Sequence, residues 1–557
     1  MSTDSTQSDS SKKGQLVSEV KSTSTTSEVK KVTFEDFFKR GTYTYILCGL
    51  LQFMILFQLG NMIFMTYGGL PPKIVGCGSK NFTELGWKEE TICEYIEKRE
   101  KNETCKPIFE SAFDSINMEW NYICSRQMLI KSSTFFQLIG IFFGSIAGGQ
   151  LSDLFGRKTT MLISLLIKIA LTFLSSFSQD LTQLNIIRLA IQFLNGMTIT
   201  INGVFIVENI PKNDRIWVYN IFTWSPTTAI FAIIAYFANE WRLLARVVAF
   251  LSIPAVILLV ISAKSPRWLI QKGRLEEAKK EIKKICKLNK RDIDEKDISR
   301  IVQEEYDKSN KVASESKKKY TFLHLFYTWK FTTYTLILSS TFFVASLANY
   351  GTLFNMERLS GSIYTNSILM GCLRYIINLI VAAIDPRFKW LGRRHILIVF
   401  CFAITASCVG IFFVNVLGLS MEMFKRVLQI SVVAYTSQLY LTSGIVSSEL
   451  FPTPIRNLSY STLQASSRIG VIISPYLFVL RNIFDSAPYA VLGIITGGVG
   501  TLYIFYIPET KGQPLKNEMP GPEESICGNK SILKQPEEVP DSVTSSKQVT
   551  QTLVTKN

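Results

Sequence analysis

The sequence predicts an all-α membrane protein, with twelve transmembrane helices arranged as two pseudo-symmetric six-helix bundles. Three observations predict it. Long apolar blocks such as 43–67, 135–150, 161–177, 331–348 and 395–417 recur along a chain of 557 residues, 47% of them hydrophobic. Basic residues gather in alternate connections between these blocks. Short motifs in the first half return in the second at an offset of about 240 residues.

Each span follows from length. A bilayer core about 30 Å thick takes about 20 mostly apolar residues at about 1.5 Å of rise each. Stretches that meet this, some only if a few polar residues face a cavity, are 43–66, 132–151, 159–178, 185–206, 217–238 and 244–263, then 330–350, 363–384, 395–416, 425–447, 461–481 and 488–507. Connections on one side carry Arg157 and Lys158, Lys212 and Arg215, and Arg387, Lys389, Arg393 and Arg394, and 264–319 is dense in lysine. Basic connections stay in the cytosol, so both termini are expected there. The net charge of +16 therefore reads as membrane topology and not as nucleic-acid binding. Residues 1–41, Ser/Thr/Lys-rich and without an apolar core, read as a disordered cytosolic tail with no secretory signal. The first bundle is expected at 42–263 and the second at 330–515. A cytosolic linker with short helices, 264–329, joins them, and a second disordered tail runs over 516–557. Within the linker, 276–287 can form an amphipathic, charge-laced helix.

The connection at 67–131 is placed outside. It contains Cys77, Cys93, Cys105 and Cys124, and glycosylation sequons at Asn81 and Asn102. Four cysteines on the oxidising side imply two disulfides, with three pairings open. Sequons at Asn457 and Asn529 fall on the inner side and are expected to stay unmodified.

The recurring motifs are Gly156-Arg157-Lys158 with Gly392-Arg393-Arg394, Glu208 with Glu449, and Ser265-Pro266-Arg267 with Pro508-Glu509-Thr510. The run Gly149-Gln150-Leu151-Ser152-Asp153-Leu154-Phe155-Gly156-Arg157-Lys158 resembles the signature that follows span two in the major facilitator superfamily. Its glycines permit close helix approach and a tight turn. Asp153, Arg157 and Lys158 can join an inner ion-pair cluster that breaks as a gate opens. More closely, residues 33–516 resemble the organic cation/anion/carnitine transporter family. The resemblance rests on the four-Cys loop ending Trp120-Asn121-Tyr122-Ile123-Cys124, on Arg188 and Glu208, and on Ala235-Tyr236 with Trp241-Arg242. It continues through Ser265-Pro266-Arg267-Trp268-Leu269 with Gly273-Arg274, Glu449-Leu450-Phe451-Pro452-Thr453 with Arg456-Asn457, and Pro508-Glu509-Thr510. Sugar transporters share several of these motifs but lack the large Cys-rich loop. The resemblance implies polyspecific organic-ion transport at the plasma membrane by alternating access, with Asp153, Arg157, Lys158, Glu208, Arg267, Arg393, Arg394, Glu449 and Arg456 in the gates. Departures are Lys264 where the family has Glu, Gln192 for a Gly, and Lys389 for an acid, with Asp385 displaced upstream.

Two charges bear on the substrate. Arg374 lies near the middle of span eight and Arg468 inside span eleven. A mid-membrane Arg costs about 2.5–3.5 kcal/mol on insertion scales, so it should face the interior and meet an anion. The apolar cores of the twelve spans contain no Asp or Glu to serve as partner. The substrate is therefore expected to supply the negative charge, as an organic anion or a carboxylate-bearing zwitterion, and Arg suits a carboxylate through its planar fork. The family resemblance points the same way at Arg468. Trp224, Tyr236, Asn349 and Tyr350 are expected to line the rest of the cavity. Lys168 is expected to snorkel toward a membrane surface. Without a buried carboxylate, transport driven by a substrate gradient or by exchange is expected, not proton coupling. No cofactor, catalytic residue or metal site is expected, and the partners are small organic ions and the bilayer, with the oligomeric state left open. The alternatives kept open are an organic-cation carrier, a sugar-type carrier, and a receptor that binds without transporting.

Overall fold

The computed structural model describes residues 34–511 except 78–79, 83, 88, 101–106, 212–217, 219–220, 292, 316–320, 355–360, 389–390, 483 and 485, together with 513, 519 and 520. Asn102, Cys105 and Lys389 lie outside the described residues.

The first bundle holds span one (Thr42–Met62), two (Gln127–Phe155), three (Arg157–Ser175), four (Leu181–Asn209), five (Trp224–Ala238) and six (Trp241–Leu251 with Ile253–Ile261). The second holds seven (Trp329–Phe354), eight (Ile363–Arg387), nine (Arg393–Val416), ten (Glu422–Leu450), eleven (Thr453–Ile473, extended by a 3-10 stretch Ser474–Asn482) and twelve (Ala487–Tyr506). Span six breaks at Ser252, two residues before Pro254, whose missing N–H cannot close a helical bond. Among the described residues, nine helices are long and apolar enough to cross a membrane. Spans five, ten and eleven fall short of that test. Span five is short, and ten buries Gln429, Ser431, Thr436, Ser437, Gln438 and Ser443 against its neighbours. Helices that line a protein interior need not be apolar all round.

Spans two and four pack backbone to backbone. A Cβ on Gly144 would overlap the Phe193 carbonyl, and one on Gly196 would overlap the Ile141 carbonyl. Only Gly permits such approach. Gly144→Leu is accordingly expected to remove most of the folded protein, read as loss of the monodisperse peak in size-exclusion chromatography.

Residues 34–41, assigned from composition to the disordered tail, are ordered. Phe34–Phe38 forms a short 3-10 helix whose Phe37 and Phe38 are buried against linker helices Leu275–Leu288 and Glu295–Glu315. Three phenylalanines at the end of a polar run supply enough apolar surface to dock. Asn289 of the linker accepts the Tyr43 amide at 2.9 Å, capping span one.

The connection between spans one and two is a small domain and not a plain loop. Strands β1 (Lys73–Cys77), β2 (Lys80–Asn81) and β3 (Pro107–Glu110) form an antiparallel sheet in the order β2-β1-β3. Helix Glu89–Glu100 covers a core of Phe82, Ile92, Ile96 and Ile123. Cys93 pairs with Cys124, Cα–Cα 5.4 Å, and Cys77 is also disulfide-bonded. The domain is fastened to the first bundle. Asp114 exchanges backbone hydrogen bonds with Asn239 and Trp241 at 2.9 and 3.0 Å. The Glu119 carboxylate accepts from Trp241 Nε1 at 2.7 Å and from Arg242 at 2.5–3.1 Å. These bonds, Arg242 first, hold the Glu119 carboxyl below the usual carboxylate range. A carboxyl lowered on folding contributes stability above its unfolded pKa, about 4.3, and loses it as pH falls through the folded value. Protection of 107–120 against hydrogen exchange should therefore hold at pH 6 and fail only well below pH ~4, and Glu119→Gln should exchange faster than the unmodified chain at pH 6, with the difference vanishing at the acid end.

Candidate binding passage between the bundles

The two halves meet at the end of the molecule that bears the Cys-rich domain. Tyr67 of the first half stacks on Tyr364 of the second at 5.9 Å and donates to Ser367 Oγ at 3.0 Å. Tyr364 in turn donates to the Ala112 carbonyl at 3.0 Å. Deeper in, Met62, Leu138, Ile141 and Trp224 of the first half pack with Tyr350, Phe354, Val471 and Ile472 of the second. Gly371 of span eight lies against span five, where an added Cβ would sit 2.8 Å from the Ser225 carbonyl and 3.2 Å from Ala229 Cβ. This end is shut by packing.

At the opposite, linker end the expected gate residues form clusters internal to each half. Arg157 pairs with Asp153 at 2.5 Å and Glu208 at 3.1 Å, and Lys158 donates to the Val260 and Ser262 carbonyls closing span six. In the second half Arg393 pairs with Asp385 at 2.7 Å and Glu449 at 3.9 Å, and Arg394 donates to the Ile504 carbonyl of span twelve. The repeat thus extends from sequence to atoms. Asp385, displaced in sequence, still reaches Arg393 and also serves Lys511 at 3.3 Å. Glu509 accepts the Arg393 and Arg394 amides at 2.8 and 3.2 Å, an anion at the start of span nine. Arg267 binds Glu35 at 2.6 Å and lies over Phe34, so it ties the N-terminal segment to the linker. Lys264 pairs with Glu277 at 3.4 Å and its amide donates to Glu281, so the linker helix supplies acid where the family carries Glu. Arg456 reaches the Phe451 carbonyl at 3.4 Å.

Between these ends the second half gathers most of the expected binding residues. Arg374 Nη1 donates to Asn349 Oδ1 at 2.9 Å, and Arg374 Nε is buried with no hydrogen-bond partner. Among the described residues Arg468, half-buried, makes no hydrogen bond or ion pair. The Tyr350 hydroxyl lies within electrostatic reach of both guanidinium groups. Tyr440 joins them and was not foreseen. It lies within electrostatic reach of Arg374 and Tyr350, and its hydroxyl donates to Ser346, which touches Ser467, each at 2.7 Å. The signal available was its place in the polar run of span ten. Tyr236 is placed elsewhere. Twelve residues along span five from Trp224, a rise of about 18 Å, it is 60% exposed and packs edge-on to Tyr364 at the shut end.

The first half contributes two further cations. Lys168, expected to snorkel, is fully buried. Its Nζ donates to Asn195 Oδ1 at 3.1 Å and Thr198 Oγ1 at 3.2 Å, and sits 4.0 Å from the Phe57 ring centroid. Arg188, also fully buried, donates to the Asn61 carbonyl at 2.6 Å and to Gln137, and lies over Phe64. Span three puts Lys168 midway between its ends, out of reach of either surface, so neutral oxygens and a ring take the place of water. Four cations thus sit inside spans whose acids, Asp153, Glu208, Asp385, Glu422 and Glu449, all lie at helix ends.

Comparison with known proteins fits this architecture. A family model described as "Sugar (and other) transporter" matches residues 91–519. An "Organic cation transporter protein" of Drosophila melanogaster is 28% identical over 415 residues, covering 71% of this chain and 72% of that protein. "Organic cation/carnitine transporter 2" of Homo sapiens is 26% identical over 442 residues, 74% and 73%. "Solute carrier family 22 member 6" of Danio rerio is 28% identical over 410 residues, 72% and 70%. Among solved structures, an inward-open conformation of the xylose transporter XylE from E. coli superposes with a TM-score of 0.59 at 14% identity, covering 85% of this chain and 98% of that one. The last likeness is one of fold.

Proposed function

The chain belongs to the sugar (and other) transporter family, and from that premise we propose that it carries organic anions, or zwitterions bearing a carboxylate, by alternating access. It is a multi-pass membrane transporter and not an enzyme. Its relatives named for organic cations and carnitine support small organic ions as the substrate class.

The sign of the charge rests on one observation. Arg374 and Arg468 both lie within electrostatic reach of Tyr350, in spans whose acids sit at helix ends, and neither has an acidic partner among the described residues. A guanidinium in a low-dielectric interior is costly until an anion arrives, so binding energy concentrates on carboxylate-bearing solutes. Tyr350, Tyr440 and Trp224 supply ring surface that tolerates many flat shapes. With the Cys-rich end shut by packing, we take the linker end as the side from which this site is reached. We place the Cys-rich domain outside the cell, with exposed Asn81 as a glycan carrier, both termini in the cytosol, and the protein in the plasma membrane. The linker-end clusters around Arg157 and Arg393 would then re-pair across the halves when the outer end opens. Flux would follow the substrate gradient or an exchanged counter-anion.

Uptake of a fluorescent anionic dye and of a cationic dye into proteoliposomes holding the purified protein tests this reading. Saturable anion uptake, with the cation left at background, is expected. Cation uptake alone would favour the reading carried by the relatives' names, and saturable binding without flux of either dye would make the protein a receptor.

A further inference from the structure

A cavity of about 860 Å³ lies outside the shut end, well away from the central arginines. Leu70, Pro71, Ile74 and Trp87 of the first half wall one side, and Ser362 and Ile363, at the start of span eight, wall the other. Ala112 lines it too, and its carbonyl receives the Tyr364 hydroxyl, so the bond that closes the passage also forms part of this cavity. Its volume lies in the range of small-molecule sites, and its lining mixes apolar side chains with the polar groups of Lys73, Glu110, Ser111, Gln127 and Ser362.

The lining carries one charge of each sign. Lys73 and Glu110 face each other across β1 and β3 at 3.8 Å, with side chains 69% and 70% exposed. So long and exposed a pair contributes little to stability, and each partner can exchange the other for a ligand group at small cost. We propose that this cavity is a second, outer binding site for an amphiphilic zwitterion, with its apolar body between Trp87 and Ile363 and its two charges against Lys73 and Glu110. The proposal goes beyond the central site and does not depend on the charge sign assigned there.

One consequence follows from the walls. They belong to both halves, so the cavity keeps this shape only while the outer end is shut. A ligand that fits it binds the shut arrangement better than the open one and shifts the population toward it. Occupancy of this cavity from the outside therefore lowers the maximal uptake rate, whatever the same solute does at the central site.

The test uses ε-dansyl-L-lysine, a zwitterion whose dansyl emission rises in apolar surroundings, titrated against purified full-length protein. Saturable enhancement is expected. Ser362→Trp, which fills the cavity from the second half, and Lys73→Ala, which removes one charge, should each weaken it about 10-fold or more. In Arg374→Ala/Arg468→Ala, which removes binding at the central charges, a saturable component should remain, and Ser362→Trp or Lys73→Ala added to that background should weaken it in the same way. Enhancement that survives Ser362→Trp and Lys73→Ala but vanishes in the double arginine variant would place the dye in the central passage and overturn the proposal. Absence of enhancement in the unmodified protein would overturn it equally. Because Ser362 and Lys73 lie on opposite walls, a loss from local misfolding at one does not imitate a loss at the other, and size-exclusion profiles check both. The double arginine background takes the central site out of the readout, so the two readings stand or fall separately.

Discussion

Arg468→Asp is expected to lower organic-anion uptake about 100-fold or more, because it replaces a charge-assisted contact, about 1.5–3 kcal/mol, with like-charge repulsion at the same place. The side chain has no acid to compensate and no hydrogen bond to rearrange among the described residues. Arg374, which like Arg468 lies within electrostatic reach of the Tyr350 hydroxyl, would then share the site with an added carboxylate that offsets its charge. Arg468→Lys keeps the charge but loses the planar fork, and should cost only about 10-fold. Initial rates normalised to surface protein decide it. Anion uptake by Arg468→Asp equal to that of the unmodified chain would remove the basis for the anion assignment.

Gly371→Leu should abolish net transport by a different route. At Gly371 span eight touches span five of the other half, and even a Cβ would come within 2.8 Å of the Ser225 carbonyl. A Leu side chain has no room while that end is shut. Overpacking of this kind costs about 1–3 kcal/mol, enough to shift a two-state equilibrium about 5- to 150-fold toward the arrangement in which these spans part. The protein should then bind substrate from outside but fail to release it inside. Uptake would approach background while surface binding of a labelled anion persists. Normal uptake by Gly371→Leu would mean that spans five and eight do not separate in the transport cycle.

Length, hydropathy and the basic connections were enough to read the twelve spans, because a helix in lipid has to be about as long as the bilayer is thick. The paired motifs were legible for the same kind of reason. Arg157 with Glu208 and Arg393 with Glu449 sit at helix ends, where sequence position nearly fixes spatial position. What side chains do inside the bundle was less legible. Lys168 carried no sign that Asn195 and Thr198, on another helix, would stand opposite it. Tyr236 and Trp224 read alike as span-five aromatics, yet rise along the helix separates them into a gate contact and a passage lining. Tyr440 was hidden because its neighbours Arg374, Ser346 and Ser467 come from three other spans. The small sheet at 73–110 was missed because two- to five-residue strands, pinned by disulfides, leave almost no periodic pattern.

The Glu119 fastening has a mechanical corollary. The outer domain is riveted to one bundle through Trp241, Arg242 and Asn239, yet it merely leans on the other through Ala112 and Tyr364. It should swing with its own bundle as a rigid outrigger. A fluorophore grafted on the exposed face of β2 and another at the tip of span eight would turn each transport cycle into a measurable change of distance.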